Sequence, residues 1–213
     1  ELPELHMLNV ACNQKIKGDV LLDNWKKFIE GKSGKKIQVL YLGYNNLEEM
    51  PDYEHLSQME KLGLIDLTNN SITEVNAFGK EINLTKVYLD YNQINKINTT
   101  EDGYFCGYYD MESFTCTYNK LTKMPDIFNA KSKYVIGSVS FAHNEITGMQ
   151  NDDNHRGVNT NNLDLSYNHL EEFPGVIIKK GSPLGILILQ ANGMTTIKEG
   201  DLVGPNYHLL TSL

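Results

Sequence analysis

The apolar positions of this chain fall into a recurring frame. "LYLGYNNLEEMP" at 40–51, "FTCTYNKLTKMP" at 114–125 and "LDLSYNHLEEFP" at 163–174 share one arrangement. An apolar residue is followed by a gap, a second apolar residue, two residues, Asn, a gap, Leu, two residues, an apolar residue and Pro. Extended backward, the frame reads L-x-x-L-x-L-x-x-N-x-L with an apolar residue three places later. Copies begin at Leu5, Ile37, Leu62, Leu84, Met111, Ile136, Thr160 and Leu184, and a ninth begins at Leu210 and is cut off at Leu213. From Ile37 onward the copies are 25, 22, 27, 25, 24, 24 and 26 residues apart; the first spacing, 32, contains an insertion.

Apolar residues at the fourth and sixth positions fall on one side of a short strand, and the fifth falls on the other, because side chains alternate along a strand. After the sixth position the chain has to turn away. The ninth is Asn in the eight longer copies: Asn13, Asn45, Asn70, Asn92, Asn119, Asn144, Asn168 and Asn192. Its amide both donates and accepts, so it can satisfy backbone groups that the turn would otherwise bury unpaired. One copy cannot cover its own apolar face, so neighbours have to stack. Stacking predicts a parallel sheet and an internal ladder of asparagines.

The return segments vary. "DVLLDNWKKFIE" at 19–30 puts Leu21, Leu22, Trp25, Phe28 and Ile29 on one helical face, with Gly31 as a stop, and predicts a helix with Trp25 in the core. "PDYEHLSQMEKL", from Pro51, predicts a shorter helix, while "PGVIIKKGSP", from Pro174, is too short and too rich in Gly and Pro for a long one. The Tyr-rich "NTTEDGYFCGYYD" at 98–110 is read as a small hairpin. "QNDDNHRGVNT" at 150–160 clusters Asp152, Asp153 and Asn154 but lacks the alternation and later Glu of a calcium loop, so it is read as a solvated loop.

Eight copies in register resemble the leucine-rich repeat family over nearly the whole chain. The resemblance implies an α/β fold. This is a leucine-rich-repeat solenoid coiled as a curved right-handed superhelix, with a parallel sheet on the concave face and mixed short helices and irregular loops on the convex face. It is expected to form one domain over 1–213. Entry inside a repeat and a stop at the fourth position of another, with no capping repeat at either end, read as a piece of a longer array with an exposed edge strand at its C-terminal side.

Composition narrows the function. A 40% hydrophobic and 22% charged chain of 213 residues is an ordinary foldable one. A formal charge of -8 argues against a nucleic-acid partner, and no apolar run reaches the roughly 18 residues of a membrane helix. The three cysteines, Cys12, Cys106 and Cys116, make neither a disulfide framework nor a zinc pattern. Cys116 falls in a sixth, core-facing position and is read as a buried free thiol. No nucleophile elbow, phosphate loop or H-E-x-x-H is present, and the six histidines form no helical metal pair. The reading is a non-catalytic chain without cofactor or metal.

Positions three, five, seven and eight are those the core does not need. The fifth reads Asn9, Tyr41, Asp66, Tyr88, Thr115, Ser140, Asp164 and Ile188; the eighth reads Cys12, Tyr44, Asn69, Tyr91, Tyr118, His143, Tyr167 and Ala191. Tyrosine supplies contact area at low entropy cost and a hydrogen-bonding tip. The candidate partner-binding residues are Tyr41, Tyr44, Asp66, Tyr88, Asp90, Tyr91, Tyr118, His143 and Asp164. Tyr88 and Asp90 lie outside the core and are expected to be replaceable without loss of the fold. The resemblance implies recognition of a macromolecule, a protein first. Tyr beside Asp also suits a glycan, and a spacer in a larger surface protein is the third reading. Irregular repeat lengths, the "LxxxP" ends and the absence of Cys-rich caps resemble bacterial members, which implies an extracellular or cell-surface location. Bacterial effector members with ubiquitin-ligase activity carry shorter, more uniform repeats, and this chain departs from them.

Overall fold

The computed structural model describes residues 4–16, 18–31, 34–79, 82–99, 105, 111–128, 135–150, 158–175, 182–198 and 201. Its main sheet is built from the frame. The strands are β1 (Met7–Asn9), β2 (Val39–Tyr41), β3 (Leu64–Asp66), β5 (Lys86–Tyr88), β7 (Ser113–Thr115), β8 (Ile136–Ser140), β9 (Thr160–Asp164) and β10 (Ile186–Ile188). They lie side by side in chain order, all parallel. The register is that of the sequence frame. Leu8 pairs with Leu40, and the fourth position continues through Ile65, Val87, Phe114, Val139 and Leu163 to Leu187. From Leu40 to Leu187 these residues are buried, while the fifth position stays partly exposed or open on the other side of the sheet.

The asparagine ladder holds the turn after the sheet. Asn92 is typical. Its Nδ2 donates to the carbonyls of Leu89 (3.1 Å) and Leu67 (3.0 Å), the sixth positions of its own and the preceding copy, and its Oδ1 accepts from the Ile72 N–H at 3.1 Å. Asn45, Asn70, Asn144, Asn168 and Asn192 span neighbouring copies in the same way. Asn119 differs. It donates to the Leu89 carbonyl and to the Sγ of Cys116, at 3.4 Å, in place of its own sixth-position carbonyl. Cys116 is a free, fully buried thiol, as expected, and burial pushes its pKa well above the usual range.

On the return side, helix α1 (Gly18–Glu30) occupies the first insertion and buries Trp25 and Ile29. It starts on a glycine because a Cβ at Gly18 would meet the Asn46 carbonyl oxygen at 2.5 Å. Helix α2 (Tyr53–Leu56) is capped by Asp52, whose Oδ1 accepts from the His55 N–H at 3.0 Å. A second, two-stranded parallel sheet, β4 (Glu74–Val75) with β6 (Lys96–Ile97), carries the turn opposite the main sheet. Two residues per strand leave no alternation for the sequence to show. Phe105, from the Tyr-rich insertion, is buried edge-on between Phe78 and Phe114, and Phe141 continues the run of rings. Otherwise the hairpin expected near 98–110, most of the polar loop at 150–160, the segment after Gly175, Cys106 and the ninth copy lie outside the described residues.

Candidate recognition surface

Beyond the sixth position each copy turns through a left-handed residue. All eight eighth-position residues, Cys12, Tyr44, Asn69, Tyr91, Tyr118, His143, Tyr167 and Ala191, have φ between 53° and 62°. For a non-glycine residue that conformation costs about 1–2 kcal/mol. A second ladder offsets it. The eighth-position N–H donates to the seventh-position carbonyl of the next copy, from Cys12 to Gly43 (3.0 Å) through to Tyr167 to Gln190 (3.0 Å). The rungs are therefore one strand spacing apart, and their side chains leave the backbone in the same direction.

That spacing stacks rings. Tyr91 lies on Tyr118 with centroids 4.4 Å apart and planes 8° from parallel; Tyr118 lies on His143 at 4.1 Å, and His143 on Tyr167 at 4.1 Å. Each such pair is worth about 0.5–1.5 kcal/mol beyond its buried area. Tyr91, Tyr118 and Tyr167 nonetheless remain 43–49% exposed. Their faces cover one another, and their edges and hydroxyls meet solvent. Burial among these neighbours, with Tyr118 and Asp90 beside it, raises the Tyr91 pKa, so it remains a neutral hydrogen-bonding phenol at physiological pH.

The ladder brings Tyr91, Tyr118 and His143 together and adds Tyr167, which the sequence placed in the same column without marking it as a site. Tyr44 is as exposed as the others, at 48%, but is separated from Tyr91 by Asn69. Tyr41 and Tyr88 stand partly exposed on the open face of the sheet. The acids there also serve the fold. Asp66 Oδ1 accepts from the Thr68 N–H and Asp164 Oδ1 from the Ser166 N–H, both at 2.9 Å, turning the chain after the strand. Asp90 is committed further. Its carboxylate accepts from the Thr115 hydroxyl (2.6 Å), the Thr117 N–H (2.7 Å) and the Thr117 hydroxyl (2.8 Å) of the next copy. The expectation that Asp90 is replaceable is corrected on that ground: a lysine there would strand three donors.

At the entry end of the strands, Lys86 pairs with Glu112 at 3.0 Å, and the Glu112 carboxylate raises the Lys86 pKa. Among the described residues no three His, Cys, Asp or Glu side chains gather as metal ligands, and no helix is long and apolar enough to cross a membrane.

No protein-family model matches the chain. It is similar to solved structures of two bacterial proteins. A leucine-rich repeat protein from Bacteroides thetaiotaomicron is 40% identical, with a TM-score of 0.85, over 99% of this chain and 26% of that one. Another from Bacteroides eggerthii is 36% identical, with a TM-score of 0.84, over 99% of this chain and 36% of that one. Bovine lumican is 26% identical over 189 residues, 79% of this chain. The chain spans 51% of lumican's length, about half.

Proposed function

Because this chain is a leucine-rich-repeat solenoid, we propose that it is a non-catalytic recognition scaffold that binds a macromolecular partner, a protein, on the open face of its sheet and along the adjoining rings. The observation that carries this reading is the unbroken stack of Tyr91, Tyr118, His143 and Tyr167. It keeps large, rigid side chains near half exposure beside the sheet. Side chains already held in place lose little entropy on binding, and tyrosine is enriched where interfaces draw their energy. Tyr41, Tyr44 and Tyr88, with Asp66 and Asp164, extend the surface across the strands. The likeness to two Bacteroides proteins supports a bacterial source. With it goes the reading of a secreted or surface-held protein.

A glycan is the second reading. It is favoured by the tyrosines beside Asp66 and Asp164, and limited by the stacking, since a sugar needs a bare ring face and the inner rings have none. The test is capture with paired baits. One is the wild-type chain; the other carries Tyr88→Ser and Tyr118→Ser, which leave the asparagine ladder and Asp90 intact. A purified partner binding the variant about tenfold more weakly supports the face. Equal binding to both removes the face and moves the site to the 98–110 insertion, and no partner for either bait leaves a spacer. A rise in melting temperature with soluble polysaccharide, and no protein captured, turns the reading to glycan.

A further inference from the structure

The ring ladder has one gap with rings on both sides. At the eighth position, Tyr44 and Tyr91 flank Asn69, and all three backbones are alike, with φ of 56°, 56° and 54°. Tyr44 N–H donates to Thr68 and Asn69 N–H to Asp90, so the three rungs are held in consecutive register. Two strand spacings separate the flanking rungs, about 9–10 Å. A planar group between two parallel rings needs about 7–8 Å, two carbon contacts of roughly 3.5–4 Å. The slot thus admits one flat group and no more. Asparagine is shorter than tyrosine, so Asn69 forms a floor. Its side-chain amide makes no hydrogen bond among the described residues and is free to bind. At the foot of Tyr44, the residue before it is Gly43, and a Cβ there would lie 3.4 Å from Asp66 Oδ1. The missing side chain leaves the Asp66 carboxylate approachable at that corner, with Oδ1 keeping the Thr68 N–H and Oδ2 making no hydrogen bond among the described residues. Asp90, on the other side, turns away to Thr115 and Thr117.

We propose that the slot over Asn69 receives an arginine side chain of the partner protein, its guanidinium sandwiched between Tyr44 and Tyr91 and hydrogen-bonded to Asn69 and Asp66. The ring faces present negative quadrupole to the slot from both sides, and a guanidinium is flat, cationic and weakly hydrated. Its fork of donors meets the acceptors the floor supplies: the Asn69 amide oxygen and the Asp66 carboxylate. An aromatic side chain would fit the width but would leave both acceptors without a donor, and a lysine ammonium is not flat. The formal charge of -8 draws the same kind of partner.

The inference rests on the recognition reading above, but the two fail separately: titration with a tripeptide needs no partner, and capture of a partner needs no arginine. N-acetyl-Gly-Arg-Gly amide is titrated into the full chain while the tyrosine ring resonances are followed by NMR, with the Lys and Phe tripeptides as controls. The expected result is a shift of the Tyr44 and Tyr91 rings and an upfield shift of the arginine side-chain protons, with the Lys and Phe peptides at least about fivefold weaker. Asn69→Tyr fills the slot. It should fold, because tyrosine already occupies the same left-handed position at 44, 91, 118 and 167, and it should abolish the response. Asp66→Asn should weaken it about threefold. No response to the Arg peptide, an equal response to the Phe peptide, or an undiminished response in Asn69→Tyr would each overturn the inference.

Discussion

The Asn92 side chain makes four hydrogen bonds from a site only 5% exposed, to Ile72, Leu67, Leu89 and Asp90. Asn92→Ala orphans the Ile72 N–H and takes one donor from each of the Leu67 and Leu89 carbonyls, which keep Asn70 and Asn119; an orphaned buried group costs about 1–3 kcal/mol. Chemical denaturation should show at least that loss, with the midpoint displaced and the slope unchanged. Two of the three cysteines make a matched pair at the same scale. Cys12 is exposed, whereas Cys116 is buried and its pKa is raised by burial and then by Asp90. Only the thiolate reacts. A thiol reagent followed by peptide mass mapping should mark Cys12 in the native protein and Cys116 only after unfolding. Rapid native labelling of Cys116 would contradict its place in the core.

Among the elements, α2 has a pH signature. Burial opposes ionisation of Asp52, but hydrogen bonds from the His55 side chain and N–H, together with the His55 charge and Lys26, outweigh it and hold its pKa below the usual 3.8. A depressed acid stabilises the fold above its unfolded pKa and loses that contribution as pH falls through the folded one. The stability difference between wild type and Asp52→Asn should therefore be present above pH 3.8 and shrink as pH falls below it. A difference that grew on acidification would reverse the assignment. Elements also mark what the sequence could tell. The main strands, α1 and the asparagine ladder were legible because each obeys a period or a fixed offset: two for the strands, 3.6 for Leu21 to Ile29, nine for the Asn. The pair β4 and β6 was not, since two residues carry no period. The tyrosine column was legible as a column, yet its left-handed turn and ring stacking were not. Tyr91 and Tyr118 are 27 residues apart in the chain, and only the sheet register brings their rings to 4.4 Å.

For the whole molecule, each copy touches its neighbours and little else, so stability is a sum of units and interfaces. Phe114 sits fully buried in β7, in ring contact with Phe105 and Phe141. Phe114→Ala should cost about 3–5 kcal/mol. Its reach should be local: hydrogen exchange should quicken in β5, β7 and β8 and change far less in β2. Uniform acceleration across the sheet would show one cooperative block instead.

The two ladders also bear on inheritance. Each asparagine bonds within its own copy and to the copy beside it, and each left-handed rung bonds to the next copy, while the return segments differ freely in length. A duplication or deletion of one whole copy within the array leaves every bond with a partner. A single-residue insertion between the fourth and eleventh positions breaks both ladders at once. Such a gene can lengthen by unequal crossing-over between its own copies, and the ring column, with its one gap at Asn69, can be rearranged by moving copies as units.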